Sequence, residues 1–247
     1  MPVIGWRRVV VAVAAVAAAA LTARLGVWQL DRAAQKQQLQ ARLEQQRALP
    51  PLQGEALPRS AAEVPAAIDR AALLQGRWLA EHTVLLDNRP MAGRTGFYPV
   101  TPLLLPDGSA VLVQRGWLPR DLQERTRIAP YETPPGEVQV QGRIAAQAPR
   151  LFEFDPAAAQ DGPIRQNLDL DSFARETRLA LRPWVLIQDQ TAGSKPDGLL
   201  RQWPAPATGV DKHHGYAFQW FALSALVIGL YVWFQLLRPR RRPPDGR

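Results

Sequence analysis

Two long apolar stretches bracket the chain, and between them the hydrophobic positions change period. Near the N-terminus an unbroken apolar run extends from Val9 to Leu21, directly after Arg7-Arg8. Alone it is shorter than the ~20 residues a helix needs to span a bilayer core. Thr22, Ala23, Leu25, Gly26, Val27, Trp28 and Leu30 lengthen it enough, with Arg24 able to snorkel and Trp28 suited to an interface. A cleaved signal peptide is the competing reading, because alanine-rich residues 14–20 offer small-residue cleavage sites. The apolar pattern continues past those sites, which favours an uncleaved transmembrane helix over residues 9–30 after a short N-terminus, 1–8. The second stretch, 216–237, contains no charge. It places Tyr216, Trp220, Tyr231 and Trp233 toward both interfaces and meets Arg238, Arg240, Arg241 and Arg242 in a basic tail, 238–247.

Between these stretches lies a domain over residues 31–212. Its first part continues the helix outward as far as Pro50-Pro51, which cannot extend it. One helical turn is expected near Ser60–Glu63. The period then changes to that of strands, over 71–78, 82–88, 96–105, 109–118, 137–144 and 184–188. Pro106-Asp107-Gly108 is a turn signal, because Pro presets φ and Gly accepts a positive φ. Residues 168–181 read as a helix with Asp171 or Ser172 as N-cap. Residues 145–167 and 189–212, rich in Pro, Gly and Ala, read as surface loops. The fold class is therefore an α+β membrane protein. Two transmembrane helices flank an exported, mainly antiparallel β domain, a sheet or partly open barrel, with short helices.

Net charge changes this picture less than its size suggests. The formal charge is +8, which first points to polyanions. Yet Arg7, Arg8 and Arg24 have no acidic companion in residues 1–30, and the C-terminal arginines face only Asp245 beyond residue 212. The middle is nearly neutral, so nucleic acid is not an expected partner. Arginine clusters beside apolar spans instead indicate cytoplasmic ends. Both termini then lie in the cytoplasm and the central domain lies outside. That compartment is the periplasm for a protein of a bacterial inner (plasma) membrane, or the intermembrane space for a mitochondrial one. The N-terminus lacks transit-peptide character.

The 0 cysteines exclude disulfides, thiolate metal sites, Cys nucleophiles and a Cys-based copper carrier. No GxGxxG or GxxxxGK appears. Imidazole chemistry is confined to His82, His213 and His214. His82 sits in a strand pattern without an evident triad context, and adjacent His213-His214 do not form an i, i+4 metal pair. The chain reads as a non-enzyme, with a membrane-tethered hydrolase as the weaker alternative.

Three blocks in order carry a resemblance. The first is Leu25-Gly26-Val27-Trp28-Gln29-Leu30-Asp31-Arg32, with Lys36. The second runs from Asn88-Arg89 through Gly93 and Gly96-Phe97-Tyr98-Pro99-Val100-Thr101-Pro102 to Val113-Gln114-Arg115-Gly116-Trp117-Leu118-Pro119. The third is His213-His214-Gly215-Tyr216-Ala217-Phe218-Gln219-Trp220-Phe221. With two outer spans, the chain resembles the Surfeit locus protein family of cytochrome c oxidase assembly factors over roughly 25–237. The resemblance implies an assembly role for haem–copper oxidase, binding of haem a, and help with its insertion into oxidase subunit I. Subunit I and the proteins that make or deliver haem a are the implied partners, with membrane lipid around the spans. A cofactor-free scaffold for subunit I is the alternative. The family's His before the second span corresponds to His213, with adjacent His214 as the other candidate for the haem iron.

The residues themselves allow that chemistry. Haem ligation needs a neutral imidazole beside an apolar surface. On one helix His213, Tyr216, Ala217, Trp220 and Ser224 share a face by i, i+3, i+4, i+7 spacing. Tyr216 and Trp220 could flank a porphyrin, with Trp28 as the opposite wall. Arg24, Arg32 or Lys212 could pair with propionates. The same aromatics also suit plain interface anchors. Arg115 and Trp117 are candidates for partner binding, the alternative being that Gly116 permits a bulge and Trp117 fills the core.

Overall fold

The structure is a computed structural model that describes residues 5–121, 123–124, 126–151, 162–190, 196–203 and 209–238. The described chain forms two compact units, taken separately below.

The first unit pairs the two apolar stretches as helices. Helix α1 spans Trp6–Ala48 without a break and stops before Pro50-Pro51. Its alanine-rich sequence, with many Leu, Arg and Gln residues, favours helix, and no proline falls within it. The later helix of this unit, α4, spans Val210–Val232 and relaxes into a π-helical turn at Trp233–Leu237. Both are long and apolar enough to cross a membrane. Only 17% and 11% of their most apolar windows are buried inside the molecule, so neither is the core helix of a soluble domain. The buried positions are small or weakly polar: Ala19, Thr22, Gly26 and Ala33 on α1, and Ala217 and Ser224 on α4. Lipid tails are as apolar as leucine, so close backbone approach and hydrogen bonds must hold such helices together. Both are present. Ser224 Oγ donates to the Ala19 carbonyl at 2.9 Å, and a Cβ placed on Gly26 would lie 2.8 Å from the Phe221 ring.

The second unit holds an eight-stranded sheet. Its strands are β1 (Ala71–Trp78), β2 (Val84–Met91), β3 (Arg94–Leu104), β4 (Ala110–Gln114), β5 (Leu118–Pro119), β6 (Glu137–Ala145), β7 (Ile164–Arg165) and β8 (Leu181–Gln188). The order β1-β6-β8-β4-β3 closes on itself, because β3 also pairs with β1 through Leu103↔Trp78 and Leu104↔Arg77. The other half of the long β3 leaves this ring and carries β2, which carries β7. The result is a small barrel with a flap, as the strand pattern anticipates. Most pairings are antiparallel, while β4–β8 and β2–β7 run parallel. Alternation in β1 turns Ala72, Leu74 and Trp78 inward. They meet Leu103, Val111, Val113, Ile144 and Trp184 in one core cluster. The intervening residues of β4 and β8, Leu112 and Val185, face a second cluster with Tyr98, Val100, Trp117 and Phe173. The short helices are α2 (Val64–Ala67) and α3 (Leu170–Thr177). Val64 and Ala67 bury against the first cluster, and Phe173 of α3 against the second.

Several boundaries differ from the sequence reading, each for a local reason. The helix expected over 168–181 is shorter. Asp169 caps it by accepting from the Ser172 N–H at 2.9 Å, Arg178 adopts a left-handed conformation, and Leu181 opens β8. The strand expected over 109–118 breaks after Gln114, and pairing resumes at Leu118. His82 closes a 3-10 turn, Ala80–His82, ahead of β2. The strand expected over 82–88 starts at Val84 and continues to Met91, with positive φ at Asn88 where the register shifts. The turn sits at Ala92-Gly93, where both φ angles are positive, as a tight hairpin requires. Strand β7 falls in a stretch read as loop. Parts of the two expected loops, 152–161, 191–195 and 204–208, lie outside the described residues, as do 1–4 and 239–247 of the two ends.

Candidate functional site

The first turn of α4 concentrates the site chemistry. Gly209 precedes it in a left-handed conformation and Asp211 lies in its first turn, where a carboxylate complements the positive end of the helix. His213 then points along the stripe that also contains the buried Ala217 and Ser224 and the half-buried Trp220. On α1 the matching stripe runs Thr22, Gly26, Gln29, Ala33, at helical spacing. His213 Nδ1 meets Gln29 Oε1 at 2.7 Å. A carbonyl oxygen only accepts, so Nδ1 is the donor in this contact, and in the neutral imidazole Nε2 then keeps its lone pair. A metal-binding histidine has this arrangement: one ring nitrogen donates to an oxygen, and the other is left to coordinate.

The predicted residues divide. His213 and Trp220 lie toward α1. Tyr216 is 52% exposed, Trp28 is 48% exposed, and His214 is also exposed. Trp28 lies under the Arg32 guanidinium, 5.6 Å from its ring centroid. It lines a shallow cavity of about 380 Å³ with Leu21, Arg24, Leu25 and Asp31. Arg24 and Trp28 therefore share one surface of α1. Lys36 approaches the start of α4, its Nζ lying 3.6 Å from where a Gly209 Cβ would stand. Lys36 and Arg32 are thus cations near His213, with Asp211 of opposite charge in the same turn of α4. Gln29 has no role in the sequence reading. Its signal was available, as a polar residue on the small-residue stripe of a long apolar helix.

Arg115 and Trp117 lie elsewhere, inside the sheet unit, and each is 1% exposed. Trp117 fills the core, and its indole N–H donates to the Arg89 carbonyl. Gly96 makes room for it, since a Cβ there would lie 2.5 Å from the indole and 2.0 Å from the Leu118 carbonyl. Arg115 stacks between Trp78, 4.7 Å away, and Tyr131, 5.4 Å away. It also donates to the Glu132 carbonyl and reaches Asp197 at 3.9 Å. Burial pushes its guanidinium below its ordinary pKa, and Asp197 opposes that shift. Arg89 donates to the Gln166 carbonyl and to Asn167. Among the described residues no three His, Asp or Glu side chains gather as a metal site.

Comparison with known proteins places these features in context. A family model described as the SURF1 family matches residues 16–225. A SURF1-like protein of Dictyostelium discoideum is 27% identical over 199 residues, covering 68% of this chain and 72% of that protein. One of Monosiga brevicollis is 25% identical over 228 residues, covering 87% and 84%. One of Drosophila melanogaster is 27% identical over 241 residues, covering 90% and 75%.

Proposed function

The chain belongs to the SURF1 family, whose members are cytochrome oxidase assembly factors, and from that premise we propose that it binds haem a and helps insert it into subunit I of a haem–copper cytochrome c oxidase. The observation that carries the haem reading is the His213–Gln29 contact. It presents a neutral imidazole with a free Nε2 at the end of an apolar helix. Haem a would supply an iron able to take an imidazole nitrogen as a ligand. His213 is the residue to hold it, Trp220 offers an apolar neighbour on the same stripe, and Arg32, Lys36 or Lys212 offer cations for propionates. Exposed Tyr216, Trp28 and His214 face outward, where incoming haem, a partner or lipid would meet them.

The protein works as a carrier or chaperone and not as an enzyme. It sits in the inner (plasma) membrane with both termini cytoplasmic and the barrel unit outside, as the arginine clusters beside each span favour. Its partners are subunit I and the proteins that make or deliver haem a.

The test is haem content. The protein is purified from cells that make haem a, as wild type, His213→Ala and His214→Ala. Wild type and His214→Ala are expected to carry haem, and His213→Ala to lose it. A haem-free wild type, or full retention by His213→Ala, overturns ligation by His213. A haem-free wild type that still co-purifies with subunit I favours the cofactor-free scaffold.

A further inference from the structure

Gln29 stands at the end of the apolar stretch of α1, two residues before Asp31, and it lies on the packed side of the helix. It occupies the packed stripe between Gly26 and Ala33, both buried. There its amide oxygen reaches His213 Nδ1 at 2.7 Å across 184 positions of sequence. An imidazole in water exchanges between two neutral tautomers, and only one of them leaves Nε2 free to donate an electron pair. A single fixed acceptor at Nδ1 selects that one. The acceptor is itself held in place. Gly26, one turn before Gln29, admits the Phe221 ring at close range. Ser224, three turns along α4 from His213, is tied to the Ala19 carbonyl. The two helices are thus fixed in register on the same stripe that carries the Gln29–His213 pair.

We propose that Gln29 is a positioning residue: it holds His213 as the Nδ1-protonated tautomer and aims Nε2 at an incoming haem iron. The proposal rests on the haem reading for its purpose, but the tautomer it requires is a property of the protein alone. The amide is well suited to this task. It accepts from Nδ1 without adding charge, so it fixes the tautomer without favouring the imidazolium, in which Nε2 has no lone pair. Removing such an outer partner of a metal-binding histidine typically weakens metal affinity by about 10- to 100-fold.

Two measurements on the full-length, haem-free protein in detergent test this. In the first, nitrogen-15 NMR of labelled histidine reads the tautomer of His213, assigned by the signal that vanishes in His213→Ala. Wild type and Gln29→Glu are expected to show protonated Nδ1, since both retain an oxygen acceptor. Gln29→Leu is expected to show a mixture. Protonated Nε2 in wild type, or an unchanged tautomer in Gln29→Leu, overturns the proposal. In the second, haemin is titrated into each form. Gln29→Leu is expected to bind at least about tenfold more weakly than wild type, and Gln29→Glu to recover the affinity. Ser224→Ala removes one hydrogen bond of the helix pair but leaves the Gly26 contact and both members of the Gln29–His213 pair, and is expected to shift both readouts by less than Gln29→Leu does. If it reproduces the Gln29→Leu result, the role of Gln29 is packing alone and the proposal fails. If wild type binds no haemin, the haem reading fails, while the NMR result still decides whether Gln29 sets the tautomer.

Discussion

Trp117 donates its indole N–H to the backbone carbonyl of Arg89 at 2.8 Å, joining the chain that follows β4 to the bulged strand β2. The indole is 1% exposed, among the larger side chains of the second core cluster. Trp117→Ala is expected to cost about 3–5 kcal/mol, as large-to-small core changes of aromatic residues do. Trp117→Phe keeps most of the apolar volume but loses the donor, and is expected to cost about 1–3 kcal/mol. Urea unfolding followed by tryptophan fluorescence and by circular dichroism measures both. A wild-type midpoint for Trp117→Ala would contradict the packing described.

A glycine sets the distance between the two long helices. A Cβ at Gly26 would lie 2.8 Å from the Phe221 ring, and that ring is 38% exposed and free to turn. Gly26→Ala is therefore expected to be tolerated. Gly26→Ile, larger and β-branched, is expected to force the helices apart. The chain has 0 cysteines, so an Ala19→Cys/Ser224→Cys pair reports the contact without background. Oxidative cross-linking of that pair is expected to be efficient when Gly26 is retained and in combination with Gly26→Ala. Combined with Gly26→Ile it is expected to fall several-fold.

Much of this architecture is legible in local pattern, and the reason is physical. The two apolar helices announce themselves by the length of their apolar runs, and β1 by burial that alternates along the strand. Pro106-Asp107-Gly108 marks its turn through backbone preference, and Gly108 takes a φ of 80°. The parallel β4–β8 pairing is not legible, because it joins residues far apart and leaves no local signal. The division of the aromatic set is also hidden. A helical wheel places Tyr216 and Trp220 near one another, but which of them faces α1 depends on the partner's register. That register is set by Gly26 and Ser224, not by the residues expected to flank a ligand. The Gln29–His213 pair is hidden for the same reason.

Two carboxylates give opposite pH signatures. The Ser109 hydroxyl, then the Ser109 N–H, with help from Arg182, holds the Asp107 carboxyl below its usual range. A depressed carboxylate contributes stability that is present above its unfolded pKa, about 4, and is lost as pH falls through the folded value. Burial raises Asp189, against the pull of Arg143 and Arg47. Its cost appears as pH rises through the ordinary value and is complete above the raised one. Asp107→Asn should therefore lower the melting temperature at neutral pH and flatten the acid side of the profile. Asp189→Asn should raise it at neutral pH and have little effect in acid. Melting curves from about pH 3 to about pH 8 distinguish the two.

The membrane orientation proposed above can be tested on the same cysteine-free background. Arg7 and Arg8 precede one span and Arg238 follows the other, and basic residues near span ends are retained on the cytoplasmic side. Two even crossings then carry everything between them outward, including the exposed turn at Glu81. Glu81→Cys should react with a membrane-impermeant maleimide in intact spheroplasts. Gly5→Cys, exposed at the start of α1, should react only after permeabilisation. Labelling of Gly5→Cys in intact cells, with Glu81→Cys protected, would reverse the orientation and put the barrel in the cytoplasm. Labelling of both would indicate that the first helix does not cross. His213 would then lie near a bilayer face crossed by α4 alone, and the α1–α4 packing that holds Gln29 against it would have to form outside the hydrocarbon core.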